Sequence, residues 1–131
     1  MVLDTNILIA YLNGEEKIVK TLSDWKNSGR ALFISTISKA EVLSLPQLLP
    51  KDIEKIRLFL NNFFSVPFDD SIAEKAAFIR RIYELKLPDA GIAATALAYN
   101  LPLVTRDHQF KKNKRNHCNR DLEFINEFLT R

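Results

Sequence analysis

Short apolar runs alternate with amphipathic stretches along the chain. Residues 2–3 end a short apolar strand, and Asp4 follows as the predicted N-cap of an apolar helical turn. Continuous apolar runs at residues 31–34 and 103–105 are too short for helices and predict strands buried on both faces. Residues 66–68 contain a proline, which restricts a strand there to the edge of a sheet. The pattern is typical of strands separated by helices.

The stretches between these strands carry apolar residues at helical spacing. Ile72, Ala76 and Ile79, for example, would share one face of a helix. The helices predicted in this way cover residues 7–12, 15–26, 39–45, 51–64, 70–86 and 88–99. Strands joined by such helices imply right-handed crossovers and a parallel sheet covered on both faces. The expected fold class is therefore α/β, a three-layer α/β/α sandwich with a central, mainly parallel sheet, and we expect a single domain over residues 1–131.

The residue types exclude several classes of active site. The chain has three glycines, which are spaced too widely for a GxGxxG dinucleotide loop or a GxxxxGK[ST] phosphate loop. Its two histidines cannot form an HExxH helix, and no GxSxG sequence offers a hydrolase serine. Any catalytic chemistry must therefore be carried by carboxylates.

Cysteine content and hydropathy bear on the cellular compartment. The single cysteine, Cys118, cannot form an internal disulfide, so nothing in the sequence requires an oxidising environment. No apolar run approaches the roughly 18 to 20 residues that a membrane-spanning helix needs. We therefore expect a soluble, cytoplasmic protein with no membrane segment.

Positive charge is concentrated in one stretch of the chain. The sequence has 19 basic and 16 acidic residues, a net charge of +3. Residues 111–120 contain no acid, and without their basic residues the chain would be slightly acidic. These basic residues are Lys111, Lys112, Lys114, Arg115 and Arg120. Clustered lysine and arginine favour phosphate binding through counterion release, although a solvated loop explains the same composition equally well.

Four acidic residues fall where the carboxyl edge of the sheet is expected. Asp4 follows the first strand, and Asp107 lies two residues beyond the strand at 103–105. Glu41 lies at the start of the helix after the second strand, and Asp89 in the first turn of the last predicted helix. Because open α/β sheets bind ligands beyond the carboxyl ends of their strands, these acids could form one site.

Each acid also has a structural explanation. Asp4 would cap a helix, Asp107 would make a turn and Asp89 would complement a helix dipole, each worth roughly 0.3 to 1 kcal/mol. The sequence at 38–41 matches a capping box that would explain Glu41. If the acids converge, however, two like charges about 4 Å apart repel by about 4 kcal/mol at an effective dielectric constant near 20. Such a cluster requires a cation or raised pKa values, and Mg²⁺ or Mn²⁺ suits carboxylate ligands.

The four acids lie in four short sequence motifs. These are Asp4-Thr5-Asn6, the segment from Ser35 to Glu41, the segment from Leu87 to Ala96, and Val104-Thr105-Arg106-Asp107. In order and spacing, over roughly residues 2–112, they resemble the motifs of PIN-domain ribonucleases. The resemblance is closest to the VapC-type toxins of prokaryotic toxin–antitoxin pairs.

This resemblance implies a metal-dependent endoribonuclease that hydrolyses RNA phosphodiester bonds with Mg²⁺, or with Mn²⁺ in its place. The catalytic and metal-binding residues that it implies are Asp4, Glu41, Asp89 and Asp107. By this resemblance Asp4 and Asp89 bind the ion directly, and the other two acids bind it directly or through water. Thr5 and Asn6 would support Asp4 by hydrogen bonding.

The resemblance also implies the partners. They are an RNA substrate, a cognate antitoxin protein whose tail enters the active cleft, and a second copy of the chain in a homodimer that forms through helical surfaces. The candidate RNA-binding residues are Arg106, Lys111, Lys112, Lys114 and Arg115. Arg106 could either contact an RNA phosphate or form a salt bridge, and the sequence does not decide between these two roles.

Two other functions remain open. One is a phosphatase that forms an aspartyl-phosphate on Asp4, although Asn6 stands where a second acid would be expected to protonate the leaving group. The other is an RNA- or protein-binding module that has kept the pocket without turnover. A cluster of acids that had no function would lower stability, which argues against this second alternative.

Replacing Lys111, Lys112, Lys114 and Arg115 with serine should weaken RNA binding and flatten its salt dependence, because fewer counterions would be released on binding. The measurement is the dissociation constant for RNA at several salt concentrations, for the wild type and the quadruple variant. Unchanged affinity and an unchanged slope would exclude a role for this stretch in guiding RNA.

Overall fold

A five-stranded sheet forms the centre of the protein. The structure is a computed structural model, and it describes residues 1–107 and 127–128. The strands are β1 (Val2–Leu3), β2 (Phe33–Ser35), β3 (Phe64–Val66), β4 (Leu103–Thr105) and β5 (Glu127–Phe128). They lie in the order β3-β2-β1-β4-β5, and every neighbouring pair is parallel.

Helices cover both faces of this sheet. The helices of the described chain are α1 (Thr5–Leu12), α2 (Glu16–Asn27), α3 (Thr36–Leu43), α4 (Pro50–Leu60), α5 (Asp70–Tyr83) and α6 (Leu87–Ala98). Strand side chains alternate between two cores: Val2 and Leu103 pack with α5 and α6, whereas Leu3 and Val104 pack with α1, α2 and α4. The predicted three-layer α/β/α sandwich with a parallel sheet is therefore confirmed.

The strand order creates a crevice next to β1. From β1 the chain runs outward through β2 to β3, and it then returns to β4 on the other side of β1. The connections that follow β1 and β4 therefore diverge, and this divergence is where open parallel sheets bind ligands. Asp4 comes directly after β1, and Asp107 comes two residues after β4. Both acids thus belong to the crevice.

The α3 helix begins three residues earlier than the sequence predicts. Ser35, at the end of β2, is its N-cap, and the Ser35 hydroxyl oxygen accepts a hydrogen bond from the Ile37 N–H at 3.1 Å. No loop therefore separates β2 from α3. Ser38 lies inside the helix and is fully buried, so the predicted capping box between Ser38 and Glu41 is wrong.

The α4 helix ends at Leu60, four residues earlier than predicted. The Asn62 side-chain amide donates a hydrogen bond to the Phe59 carbonyl at 2.9 Å, a local bond that competes with continuation of the helix. Phe64 then starts β3 by donating its N–H to the Leu32 carbonyl at 2.9 Å. The strand predicted at this edge of the sheet is present, but it starts two residues earlier.

The other element bounds lie within three residues of the predicted ones. The α5 helix ends three residues early because Glu84 adopts a left-handed conformation with φ of 54°. The β2 strand starts two residues late, at Phe33. The chain end from residue 121 was ambiguous in sequence, and the part of it that the structure describes is β5. Within the described residues, no helix combines the length and apolar character needed to cross a membrane.

Gly91 allows α6 to approach α3 closely. A Cβ atom added to Gly91 would overlap the Ile37 Cδ1 atom and would lie 3.2 Å from the Phe68 ring. Asp89 is on α6 and Glu41 is on α3. The missing side chain therefore helps to set the separation between two of the candidate acids.

Gly91→Ala should lower the free energy of unfolding by about 1 kcal/mol or more, because crowding against Ile37 and Phe68 outweighs the better helix propensity of alanine. Urea unfolding measures this change. Adding Ile37→Val removes the overlapping methyl group and should restore part of the loss. If Gly91→Ala were as stable as the wild type, the close approach would carry no energetic constraint.

Candidate active site

Asp4 is the most buried acid of the site. Asp4 is the N-cap of α1, and its Oδ1 accepts a hydrogen bond from the Thr5 N–H, with 2.7 Å between the nitrogen and the oxygen. Its Oδ2 accepts one from the Thr105 hydroxyl at 2.6 Å. The residue is 3% exposed, and this burial raises the pKa of Asp4 from 3.8 to about 6. The two hydrogen bonds lower that pKa, whereas the charges of Asp89 and Asp107 raise it.

Thr105 connects Asp4 to the backbone at Asp107. It is fully buried at the end of β4. While its hydroxyl donates to Asp4, its Oγ1 accepts a hydrogen bond from the Asp107 N–H at 3.0 Å. One side chain therefore holds the carboxylate of the first acid and the backbone of the fourth.

Thr5 plays a similar part for Glu41. The Thr5 hydroxyl donates to Glu41 Oε1 at 2.7 Å, and its oxygen is also hydrogen-bonded to Ser38 Oγ at 3.0 Å. Ser38 and Glu41 are three residues apart on α3, so they share one face of that helix. This small network joins the start of α1 to α3 and brings the Glu41 carboxylate next to the Asp4 segment.

Asp89 lies in the first turn of α6 and is half-buried. Burial raises the pKa of Asp89, and the nearby charges of Asp107 and Glu41 raise it further. The ammonium group of Lys86, the N-cap residue of α6, acts in the opposite direction and lowers that pKa. Asp89 is thus electrostatically coupled to acids that follow β4 and that lie on α3.

These couplings link all four acids. Asp4 interacts with Asp89 and Asp107, and Asp89 interacts with Asp107 and Glu41. Among the residues that the structure describes, however, no group of three or more Asp, Glu, His or Cys side chains is close enough together to hold a metal ion. Because Mg²⁺ commonly binds through one or two carboxylates and keeps several waters, the set of oxygen donors still suits a hard divalent cation.

The other candidate residues differ in what they contact. Thr5 reaches Asp4 through its backbone N–H, whereas its hydroxyl serves Glu41. The Asn6 Oδ1 atom is buried and has no hydrogen-bond partner within the described chain. Arg106 forms a salt bridge, at 2.6 Å between Nη1 and Glu15 Oε2. The remaining candidate RNA-binding residues, Lys111, Lys112, Lys114 and Arg115, lie outside the described residues.

Thr105 and Glu15 are contacts of the site that the sequence did not predict, and for Ser38 the predicted contact is wrong. Thr105 was part of a predicted strand, and nothing local distinguishes a threonine that binds a carboxylate from one that packs in a sheet. The three-residue spacing of Ser38 and Glu41 predicted a capping box, whereas both residues lie on one helix face and Ser38 is hydrogen-bonded to Thr5. Glu15 offered no signal, because its partner Arg106 is 91 residues away in the sequence.

Comparison with known families agrees with the four motifs. The model of the PIN domain family matches residues 1–116 of this chain. The chain therefore belongs to the PIN domain family. No protein with a curated description matches it.

Solved structures with the same fold include toxin–antitoxin complexes. A toxin–antitoxin complex from Klebsiella pneumoniae is 30% identical over 98% of this chain and 95% of that chain, with a TM-score of 0.74. FitAcB from Neisseria gonorrhoeae is 26% identical over 86% and 92%, with a TM-score of 0.68. VapBC2 from Rickettsia felis, bound to a promoter DNA fragment, is 23% identical over 85% and 90%, with a TM-score of 0.72, and supports the fold alone. The similarity to the Klebsiella pneumoniae complex agrees with the resemblance to toxins of toxin–antitoxin pairs.

The stability of the metal-free protein should fall as the pH rises from about 4 to about 6. The pKa of Asp4 is higher in the folded protein than the ordinary 3.8, so the folded state binds the proton more tightly than the unfolded state across this range. The contribution of Asp4 is at most roughly 3 kcal/mol, and Asp89, whose pKa is also raised, acts in the same direction. Urea unfolding in EDTA between pH 4.5 and 7.5 measures it.

Asp4→Asn should be more stable than the wild type at pH 7.5 and should lose the Asp4 part of this pH dependence, because the most buried charge of the site is then absent. Glu74→Gln, which removes an exposed acid of α5, is the matched control and should keep the wild-type dependence. The same slope in the wild type and Asp4→Asn would contradict the assignment.

Proposed function

We propose that this protein is a Mg²⁺-dependent endoribonuclease and the toxin of a type II toxin–antitoxin pair. The observation that carries the proposal is that acids from four separate parts of the chain lie near one another. Hydrogen bonds through Thr5 and Thr105 tie the Asp4 segment to Glu41 and to the Asp107 backbone. The charge of Asp89 acts on Asp4. Their position at the carboxyl edge of a parallel sheet supports a ligand site. Membership of the PIN domain family supports a nuclease, since PIN domains are generally nucleases.

A divalent cation would be held by Asp4 and Asp89, with Glu41 and Asp107 contributing directly or through water. When bound, the cation supplies positive charge that lowers the pKa of water and offsets negative charge on the phosphate and the leaving oxygen. It would also offset the repulsion that raises the pKa of Asp4 and of Asp89. Mn²⁺ takes the same oxygen ligands and should replace Mg²⁺.

The hydrogen bonds of the site orient the acids before RNA binds. Each oxygen of Asp4 accepts one hydrogen bond, from Thr5 or from Thr105, and keeps lone-pair capacity for a further contact. The Thr5 hydroxyl fixes one oxygen of Glu41. Such preorganisation favours catalysis because the carboxylates need not be reoriented during the reaction.

The proposed substrate is RNA, and its phosphates must approach an acidic site. Positive charge near the site would counter this repulsion. Lys86 interacts with Asp89 and is exposed, and the basic stretch at 111–120 follows directly on the Asp107 segment in sequence. We propose that this stretch guides RNA to the acids.

The proposed partner protein is an antitoxin, because solved structures similar to this chain include the toxin–antitoxin complex from Klebsiella pneumoniae. A homodimer and a cytoplasmic location complete the proposal, with one domain over residues 1–131.

The phosphatase alternative has less support. Asp4 is almost fully buried and both of its carboxylate oxygens accept hydrogen bonds, which disfavours its attack on a phosphate.

The proposal is tested with purified protein and end-labelled RNA, in Mg²⁺, in Mn²⁺ and in EDTA. Cleavage should require the metal, and Asp4→Asn and Asp89→Asn should each reduce the cleavage rate at least about 100-fold. Even mutation of residues that only hydrogen-bond to metal ligands lowers metal affinity or activity about 10- to 100-fold. Glu74→Gln should cleave like the wild type. The two inactive variants, purified in the same way, also control for contaminating ribonuclease.

Other outcomes identify the alternatives. Hydrolysis of small phosphate esters with a trapped acyl-phosphate on Asp4 would indicate the phosphatase. RNA or protein binding that needs no metal and leads to no cleavage would indicate a binding module. Cleavage that persists in Asp4→Asn and Asp89→Asn would mean that these carboxylates are not the active site.

A further inference from the structure

Arg106 and Glu15 join the end of β4 to the start of α2. The guanidinium group contacts both carboxylate oxygens, at 2.6 Å from Nη1 to Oε2 and at 3.2 Å from Nη2 to Oε1. The Arg106 side chain is 24% exposed and that of Glu15 is 45% exposed. An exposed ion pair with one contact adds little to stability, but a bidentate and partly buried arginine–carboxylate pair is stronger and fixes direction.

The two neighbours of Arg106 are turned toward the acidic site. The Thr105 hydroxyl binds Asp4, and the charge of Asp107 acts on Asp4 and on Asp89. Arg106 instead reaches α2, as expected where successive side chains of an extended chain point to opposite sides. Anchoring its side chain therefore opposes a rotation of the backbone that would turn Asp107 away from the other acids.

The other end of this ion pair is held in place by backbone hydrogen bonds. Glu15 is the N-cap residue of α2. Its N–H donates to the Ala10 carbonyl at 3.1 Å, and its own carbonyl accepts from the Val19 N–H at 2.9 Å. The Glu15 backbone is thus fixed to both α1 and α2, which makes its carboxylate a suitable anchor.

We propose that the Glu15–Arg106 ion pair is a positioning element that keeps the Asp107 carboxylate at the acidic site. The inference rests on the proposed function, in which Asp107 helps to bind the metal ion. It assigns Arg106 a structural contact with Glu15 rather than a contact with RNA phosphate. A phosphate would have to displace Glu15 from both guanidinium nitrogens before it could bind there.

The two roles of Arg106 lead to opposite results when Glu15 is changed. A positioning pair is weakened by Glu15→Gln as well as by Arg106→Gln. A phosphate-binding arginine would instead be released by Glu15→Gln, so RNA affinity would rise. The reversed pair, Glu15→Arg with Arg106→Glu, restores the ion pair but places a negative charge where phosphate would bind.

The experiment compares these variants with the wild type by three readouts. Calorimetry gives Mn²⁺ affinity, initial rates give kcat and KM for RNA, and NMR hydrogen exchange reports the Asp107 amide, which donates to Thr105 Oγ1 at 3.0 Å. Glu16→Gln is the matched control, because it removes the same charge one residue along α2. Both single variants should weaken Mn²⁺ binding and lower kcat by about 3- to 10-fold, with KM little changed.

The same single variants should speed exchange of the Asp107 amide by a similar factor, and the reversed pair should return all three readouts to within about 2-fold of the wild type. Higher RNA affinity in Glu15→Gln with unchanged Asp107 exchange would overturn the proposal, as would a reversed pair no better than the single variants. If the wild type neither binds Mn²⁺ nor cleaves RNA, the proposed function fails, and the Asp107 amide still decides the positioning role.

Discussion

Burial of the Asp4 carboxylate beside other acids is the constraint on which the rest of the site depends. A carboxylate removed from water is costly unless hydrogen bonds or a cation offset the loss of hydration. Here the Thr5 N–H and the Thr105 hydroxyl offset part of it, yet the pKa of Asp4 is still raised to about 6. At the carboxyl edge of the sheet, the charge of the Asp4 carboxylate is therefore only partly compensated by the described residues around it. A cation is the simplest ligand that would complete this arrangement.

The sheet register explains how such a group comes to be held. Leu3 pairs with Val104 in the parallel ladder, and the Asp4 N–H donates to the Val104 carbonyl at 3.0 Å. The residue after Leu3 is therefore brought next to the residue after Val104, which sets Asp4 beside Thr105. A shift of one residue in this pairing would send the Thr105 hydroxyl to the opposite face of the sheet. The position of the Asp4 carboxylate therefore depends on the register of the backbone pairing between β1 and β4.

The sequence was sufficient for the architecture and for singling out four candidate acids, but not for the contacts that orient them. Asp4 and Asp89 could be singled out because each lies at a recognisable place in the chain. Asp4 comes directly after a short apolar strand, and Asp89 lies in the first turn of a helix. The start of α3 was misjudged because two serines, Ser35 and Ser38, both offer an N-cap, and only the end of β2 decides between them. Contacts such as Thr105 to Asp4 join residues 101 positions apart, and no local pattern encodes them.

One edge of the sheet limits how the molecule can extend. The β3 strand is three residues long, from Phe64 to Val66, and the residue that follows is Pro67, which has no N–H to donate. Phe64 is 63% exposed and rests against Phe33, with 5.3 Å between ring centroids. A foreign strand that approached this side would find few backbone groups to pair with and a bulky ring beside them. Aggregation by edge-to-edge growth of the sheet is thereby discouraged on this flank.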